Sequence, residues 1–202
     1  GRFIARIHAV GKRQTFQHRQ AIGIQRQGRE AADYLLTDGF IPGHLEQAYQ
    51  TLADDLLQWV TRCFDTASSV TSLRLHGDCH RGNVLWTDRG PHFVDLDDCC
   101  NGPAIQDLWM LLSGERSEMT VQLIDLLDGY SEFASLDLAE LHLIEALRTL
   151  RMMHYASWLA KRWRDPAFPQ AFPWFDTTQY WEQHILELRE QLARMQEPVL
   201  TV

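Results

Sequence analysis

Much of the chemistry this sequence offers sits in one run, His76-Gly77-Asp78-Cys79-His80-Arg81-Gly82-Asn83. A second acidic group follows in Phe93-Val94-Asp95-Leu96-Asp97-Asp98. Transfer of a γ-phosphoryl group to an alcohol needs a carboxylate that orients the hydroxyl and accepts its proton. It also needs oxygen ligands that hold Mg2+ against the phosphates. Mg2+ takes hard oxygen donors and keeps several positions for substrate phosphates, so one Asn carbonyl and one Asp suffice from the protein. The sequence supplies these parts as Asp78, Asn83 and Asp95. Taken singly, Asp78 reads as a turn residue and Asn83 as a cap at the start of a strand. Their joint occurrence favours a site.

The elements around them must bring these groups together. Ser72-Leu73-Arg74-Leu75, Asn83-Val84-Leu85-Trp86 and His92-Phe93-Val94-Asp95 read as three short strands. Thr87-Asp88-Arg89-Gly90-Pro91 is a turn, so the last two form a hairpin whose open end sets Asn83 beside Asp95. Residues 1–10 read as the end of a helix, and 11–43 as an irregular connection with a short helix near 29–36. Over 44–64, Leu45, Ala48, Leu52, Leu56, Trp59, Val60 and Cys63 recur at a helical period. Further helices are expected near 104–113, 118–134, 137–163 and 178–195, while Asp165-Pro166 to Pro173-Trp174 is too rich in proline for helix. The fold class is therefore α+β and mostly helical, with one small hairpin near its middle.

Bulk properties narrow the function. The 202 residues fit one domain or one large lobe. The net charge of -8 argues against broad binding to nucleic acid. No apolar run approaches the roughly 18 residues that span a bilayer, and the start, Gly1-Arg2-Phe3-Ile4, has no secretory pattern. A cytoplasmic location with no membrane partner is the default. Cys63, Cys79, Cys99 and Cys100 form no C-x-x-C pair and read as reduced thiols.

The pattern H-x-D-x-x-x-x-N, followed by a hairpin and an Asp at its end, resembles the catalytic loop and metal-binding Asp of protein kinases. With Gly77 where those enzymes carry Arg, and with His80 and Gly82 in the loop, it looks like the aminoglycoside phosphotransferase and choline kinase branch. The runs His76 to Trp86, Phe93 to Asp98, Asn101-Gly102-Pro103-Ala104 to Leu112, and Asp165 to Trp174 are similar to the bacterial stress response kinase A family. Members of that family phosphorylate protein serine and threonine. The resemblance covers the chain from about residue 1 to its end.

What it implies is a protein-kinase-like carboxyl-terminal lobe over residues 1–202, with ATP as donor and Mg2+ as cofactor. Asp78 takes the part of the proton acceptor, and Asn83 and Asp95 those of the Mg2+ ligands. His76 stands where a histidine braces the loop, and Asp107 where a helix-start Asp bonds the loop backbone. His80 falls where protein kinases place a Lys that contacts the transferring phosphate, and is a candidate for that contact. The acceptor is a protein Ser/Thr or, alternatively, a small-molecule alcohol of the aminoglycoside or choline type.

The upper half of such an enzyme is not legible in these residues. There is no G-x-G-x-x-G, and neither Lys12 nor Lys161 lies on a strand pattern. The helix at residue 1 lacks a capping residue and an initiator Met. The expectation is that the amino-terminal β lobe is absent here, and that this lobe, or another chain, covers an apolar face of the part present. Two other classes stay open. A metallohydrolase would use His76, Asp78 and His80 with His8, His18 or His92. A kinase-like lobe that only binds partners is the other.

Overall fold

The computed structural model describes every residue except Ser69. In chain order the helices are α1 (Arg2–Gly11), α2 (Glu30–Thr37), α3 (Gly43–Ala67), α4 (Ile105–Trp109), α5 (Arg116–Tyr130), α6 (Ile144–Arg162), α7 (Ala167–Ala171) and α8 (Thr178–Met195). The strands are β1 (Leu73–Leu75), β2 (Val84–Thr87), β3 (Gly90–Phe93) and β4 (Cys100–Gly102). A π turn at Gln25–Arg29 precedes α2, and 3-10 turns occupy Arg81–Asn83 and Leu138–Leu143. The chain divides into two compact units. The first comprises residues 1–22, 66–144 and 198–202, and the second residues 23–65 and 145–197.

The first unit carries all four strands. β2 and β3 form the antiparallel hairpin, with Val84 opposite Phe93 and Thr87 opposite Gly90. β1 pairs antiparallel with β4, Leu73 against Gly102 and Leu75 against Cys100. The pairing of β1 is not visible in the sequence pattern. β4 is three residues long and reads Cys-Asn-Gly, which has little intrinsic preference for strand. α1 ends against β1 so closely that a Cβ on Gly11 would lie 2.2 Å from the Arg74 carbonyl oxygen. α5 starts two residues earlier than its periodicity indicates, because Glu115 and Glu118 form a reciprocal capping box.

The second unit is all helical. Leu35 of α2, Tyr49, Leu56 and Val60 of α3, Leu150, Met153 and Leu159 of α6, and Trp181 and Leu188 of α8 close one apolar core. The expected helix at 137–163 is divided: Asp137 caps a 3-10 turn, and α6 proper starts at Ile144. The expectation of no helix in 165–174 is corrected by α7. Its prolines lie at the N-cap and the third helical position, where the backbone N–H has no partner inside the helix. The helix expected near 104–113 is only the five residues of α4. Among the described residues no helix is long and apolar enough to cross a membrane.

Candidate functional site

The site lies in the first unit and begins where β1 runs into the loop. His76 is buried, and Gly77 takes a φ of +88°. A Cβ at Gly77 would lie 2.3 Å from the Asp98 carbonyl oxygen and 2.9 Å from Cys100 Sγ. Both the backbone angle and the crowding therefore call for glycine. α4 grips this stretch with two consecutive side chains. Asp107 accepts the N–H of His76 through Oδ2 (2.8 Å) and that of Gly77 through Oδ1 (2.9 Å). Gln106 Nε2 donates to the Gly77 carbonyl (3.0 Å), and its own Oε1 accepts from Trp109 Nε1 (3.0 Å).

Asp78 follows directly. Asn83 closes the loop by donating from Nδ2 to the Asp78 carbonyl oxygen (3.0 Å), with Asp78 Oδ2 3.4 Å away. A carbonyl only accepts, so the amide nitrogen must face it, which leaves Oδ1 as the end of Asn83 suited to a cation. The His80 Nδ1 accepts the N–H of Gly82 (2.9 Å), so the ring proton sits on Nε2, 3.5 Å from Asp78 Oδ2. The His80 side chain is 41% exposed and that of Asp78 17%.

The hairpin supplies the third group. Val94 N–H still donates to the Asn83 carbonyl (3.0 Å), one step beyond the ladder, and Asp95 then leaves it with a φ of +60°. β3 thus ends at Phe93 rather than at Asp95. His76 ties the two segments together, because its Nε2–H donates to the Val94 carbonyl (2.8 Å). The loop holding Asp78 and the strand end preceding Asp95 are therefore linked by one buried imidazole. Asp97 and Asp98 lie in an exposed turn, where Arg19 bonds the carbonyls of Asp97 and Cys99.

All four cysteines are free thiols. Burial, and then the nearby charges of Asp107 and Asp78, push the Cys79 thiol far above its ordinary range. Cys100 is pushed up to about 12 by burial and then by Asp107. Both stay protonated and are poor nucleophiles. The metallohydrolase arrangement is not assembled. Among the described residues no three His, Cys, Asp or Glu side chains are placed to hold a metal ion. His8, a candidate ligand in that reading, is buried and engaged by Tyr130 and Asp107.

Two contacts escaped sequence reasoning. One is the buried pair of His8 and Tyr130 behind Asp107. The other is Glu140, whose carboxylate accepts the Ile105 N–H (2.9 Å) at the start of α4. Both are long-range and leave no local spacing signal. The hairpin also bears exposed apolar side chains: Leu85 is 51% exposed and Trp86 77%, and Leu96, past its end, is 56%.

A microcompartment-associated aminopropanol kinase superposes with a TM-score of 0.65 at 15% identity, covering 96% of this chain and 61% of that one. Amicoumacin kinase hAmiN, solved with AMP-PNP, Ca2+ and Ami, superposes at 0.64 and 20% identity, covering 96% and 57%. The fold is the protein-kinase-like fold of small phosphotransferases, mostly helical with small antiparallel sheets. Residues 1–144 match the phosphotransferase enzyme family, and the chain belongs to that family. Stress response kinase A of Escherichia coli O157:H7 is 46% identical over 200 residues, which is 99% of this chain and 60% of that protein. The serine/threonine protein kinase RdoA of Salmonella typhimurium is 44% identical over the same shares. The chain thus spans about three fifths of the curated relatives it matches.

Proposed function

We propose that this chain carries the catalytic loop of an ATP- and Mg2+-dependent kinase that acts on protein Ser/Thr hydroxyls, and that residues 1–202 are its carboxyl-terminal lobe. The observation that carries the reading is the bonding of Asn83 to the Asp78 backbone, with Asp95 leaving the hairpin directly beside Asn83. The protein acceptor is favoured by the relatives at 44–46% identity, one of which is named a serine/threonine protein kinase. A cytoplasmic location is the reading that the free thiols and the need for ATP support.

Asp78 orients the acceptor hydroxyl and takes its proton as the oxygen attacks. Asn83 Oδ1 and the Asp95 carboxylate fit Mg2+, being hard oxygen donors on adjacent backbone. The metal, when bound, neutralises charge on the phosphates. His80, with its proton on Nε2, faces the Asp78 carboxylate and is placed to stabilise negative charge beside it. His76, Gln106 and Asp107 hold the loop backbone and touch no reacting atom. Leu85, Trp86 and Leu96, apolar and exposed on and just past the hairpin, are candidates for contact with nucleotide, with the rest of the protein or with another chain.

The test is labelled phosphate transfer from ATP·Mg to a Ser/Thr-containing protein and, in parallel, to aminoglycoside and choline. It should use the full-length protein and its Asp78→Asn variant. The variant should lose about 10²–10⁴-fold in kcat with ATP affinity little changed. Turnover near wild type would remove Asp78 from the role assigned. Transfer to the small alcohols alone would change the acceptor class.

A further inference from the structure

Behind the loop lies a buried polar chain that the proposed chemistry does not use. Tyr130, the last residue of α5, places its hydroxyl 2.8 Å from His8 Nδ1, and His8 Nε2 is 3.0 Å from Asp107 Oδ2. Asp107 in turn accepts the backbone N–H groups of His76 and Gly77. His8 and Asp107 are each 1% exposed and Tyr130 2%. The two rings meet edge to face, 5.7 Å between centroids at 71°. Three helices, α1, α4 and α5, thereby converge on the two residues that precede Asp78.

The bonding directions follow from what each group can do. A carboxylate already taking two backbone N–H groups can only accept again, so Nε2 of His8 carries the proton and donates to Oδ2. In the neutral ring Nδ1 is then the acceptor, and the Tyr130 hydroxyl donates to it. Burial, and then the charges of Glu140 and Asp107, push the Tyr130 phenol well above its ordinary range, so the hydroxyl keeps its proton. The chain Tyr130 → His8 → Asp107 ends on the amides of His76 and Gly77. Without His8, Oδ2 of Asp107 loses a donor that it cannot replace from water at this depth.

We propose that His8, fixed in its tautomer by Tyr130, is a positioning residue for phosphotransfer. By donating to Asp107 Oδ2 it holds that carboxylate square to the His76 and Gly77 amides, and so sets where Asp78 stands. The inference rests on the kinase reading given above. It differs from a packing role in one respect: it depends on a single N–H at the Nε2 position. Glutamine carries its amide near that position, while asparagine carries one near Nδ1 and leaves Asp107 without its donor.

The experiment compares full-length wild type with His8→Asn, His8→Gln and Tyr130→Phe. The readouts are kcat, KM for ATP, melting temperature, and hydrogen exchange at the amides of His76 and Gly77. His8→Asn should lower kcat about 10–100-fold, the cost of a misplaced reacting group, with KM for ATP within about twofold of wild type. It should also speed exchange at residues 76 and 77. His8→Gln should return both readouts to near wild type, and Tyr130→Phe should fall between. Unchanged exchange and kcat in His8→Asn would overturn the proposal. So would equal loss in His8→Asn and His8→Gln tracking a common fall in melting temperature. The exchange readout is independent of turnover: failure of wild type to transfer phosphate would strike the kinase reading, while the exchange pattern still decides the role of His8.

Discussion

Asp78 and His80 sit two residues apart on the loop, yet their side chains meet because His80 folds back to accept the Gly82 N–H. That single bond decides which ring nitrogen carries the proton and so what Asp78 faces. His80→Asn can keep an acceptor for Gly82 while withdrawing the donor from Asp78. It is expected to lower kcat by up to about tenfold, as the loss of one polar contact of at most roughly 1.5 kcal/mol would, without changing the melting temperature. Parallel kinetics and thermal unfolding check this, and His80→Ala should lose both. Gly77 is the stricter position. With φ at +88° and two atoms within 3 Å of a Cβ, Gly77→Ala should cost at least about 2 kcal/mol. Denaturant unfolding measures it directly, and a loss below about 0.5 kcal/mol would show that the loop yields easily.

Elements differ in how far the sequence discloses them. The Asp78-to-Asn83 loop and the hairpin were legible because their contacts are local, five residues apart in one case and a short turn in the other. α3 was legible from its periodic apolar stripe, which meets the core of the second unit. β4 was not, since only its partner β1, about 27 residues away, makes it a strand. Asp107 came into view through the family resemblance alone, and the bonding of His8 to Asp107 and Tyr130 not at all, because those partners lie 99 and 122 residues distant. α7 was missed for another reason: proline breaks a helix by position, and here both prolines fall where they do no harm. Glu140 belongs to the same long-range class, and its effect can be measured. Its buried carboxyl accepts the Ile105 N–H and is pushed up to about 7, burial being the main cause. A folded-state value raised above the ordinary 4.5 means that the stability Glu140 contributes is full below about 4.5 and is lost as pH rises to about 7. Glu140→Gln keeps an acceptor and removes the titration. Relative to wild type it should therefore gain stability steadily from pH 4.5 to 7 and stay level above, as read by thermal unfolding across that range.

At the scale of the whole molecule, the two units respond to acid through opposite groups. The second unit holds two imidazoles, His184 buried and His154 half-buried, whose surroundings favour the neutral form. His184 is 5% exposed, its ring stacks against Tyr49 and Tyr180, and its Nε2 has no partner. Burial lowers it to about 4. His154 is lowered to about 4 by burial and then by Arg26, Lys161 and other cationic neighbours. A value depressed below the ordinary 6.5 means stability that is present above 6.5 and lost as pH falls to about 4. For His184 the full span corresponds to about 3 kcal/mol, at about 1.4 kcal/mol per unit. Over the same interval Glu140 works in favour of the first unit. Acid should therefore loosen the helical second unit ahead of the unit that holds the Asp78 loop. Hydrogen exchange at pH 7.5 and pH 5, corrected for the intrinsic rate, separates them: amides of α6 and α8 should lose protection at pH 5 while those of α4 and α5 keep it. In His154→Gln/His184→Gln the change in α6 and α8 between the two pH values should shrink. Equal loss of protection in both units, or a double variant as acid-sensitive as wild type, would place the acid response in the surface carboxylates instead.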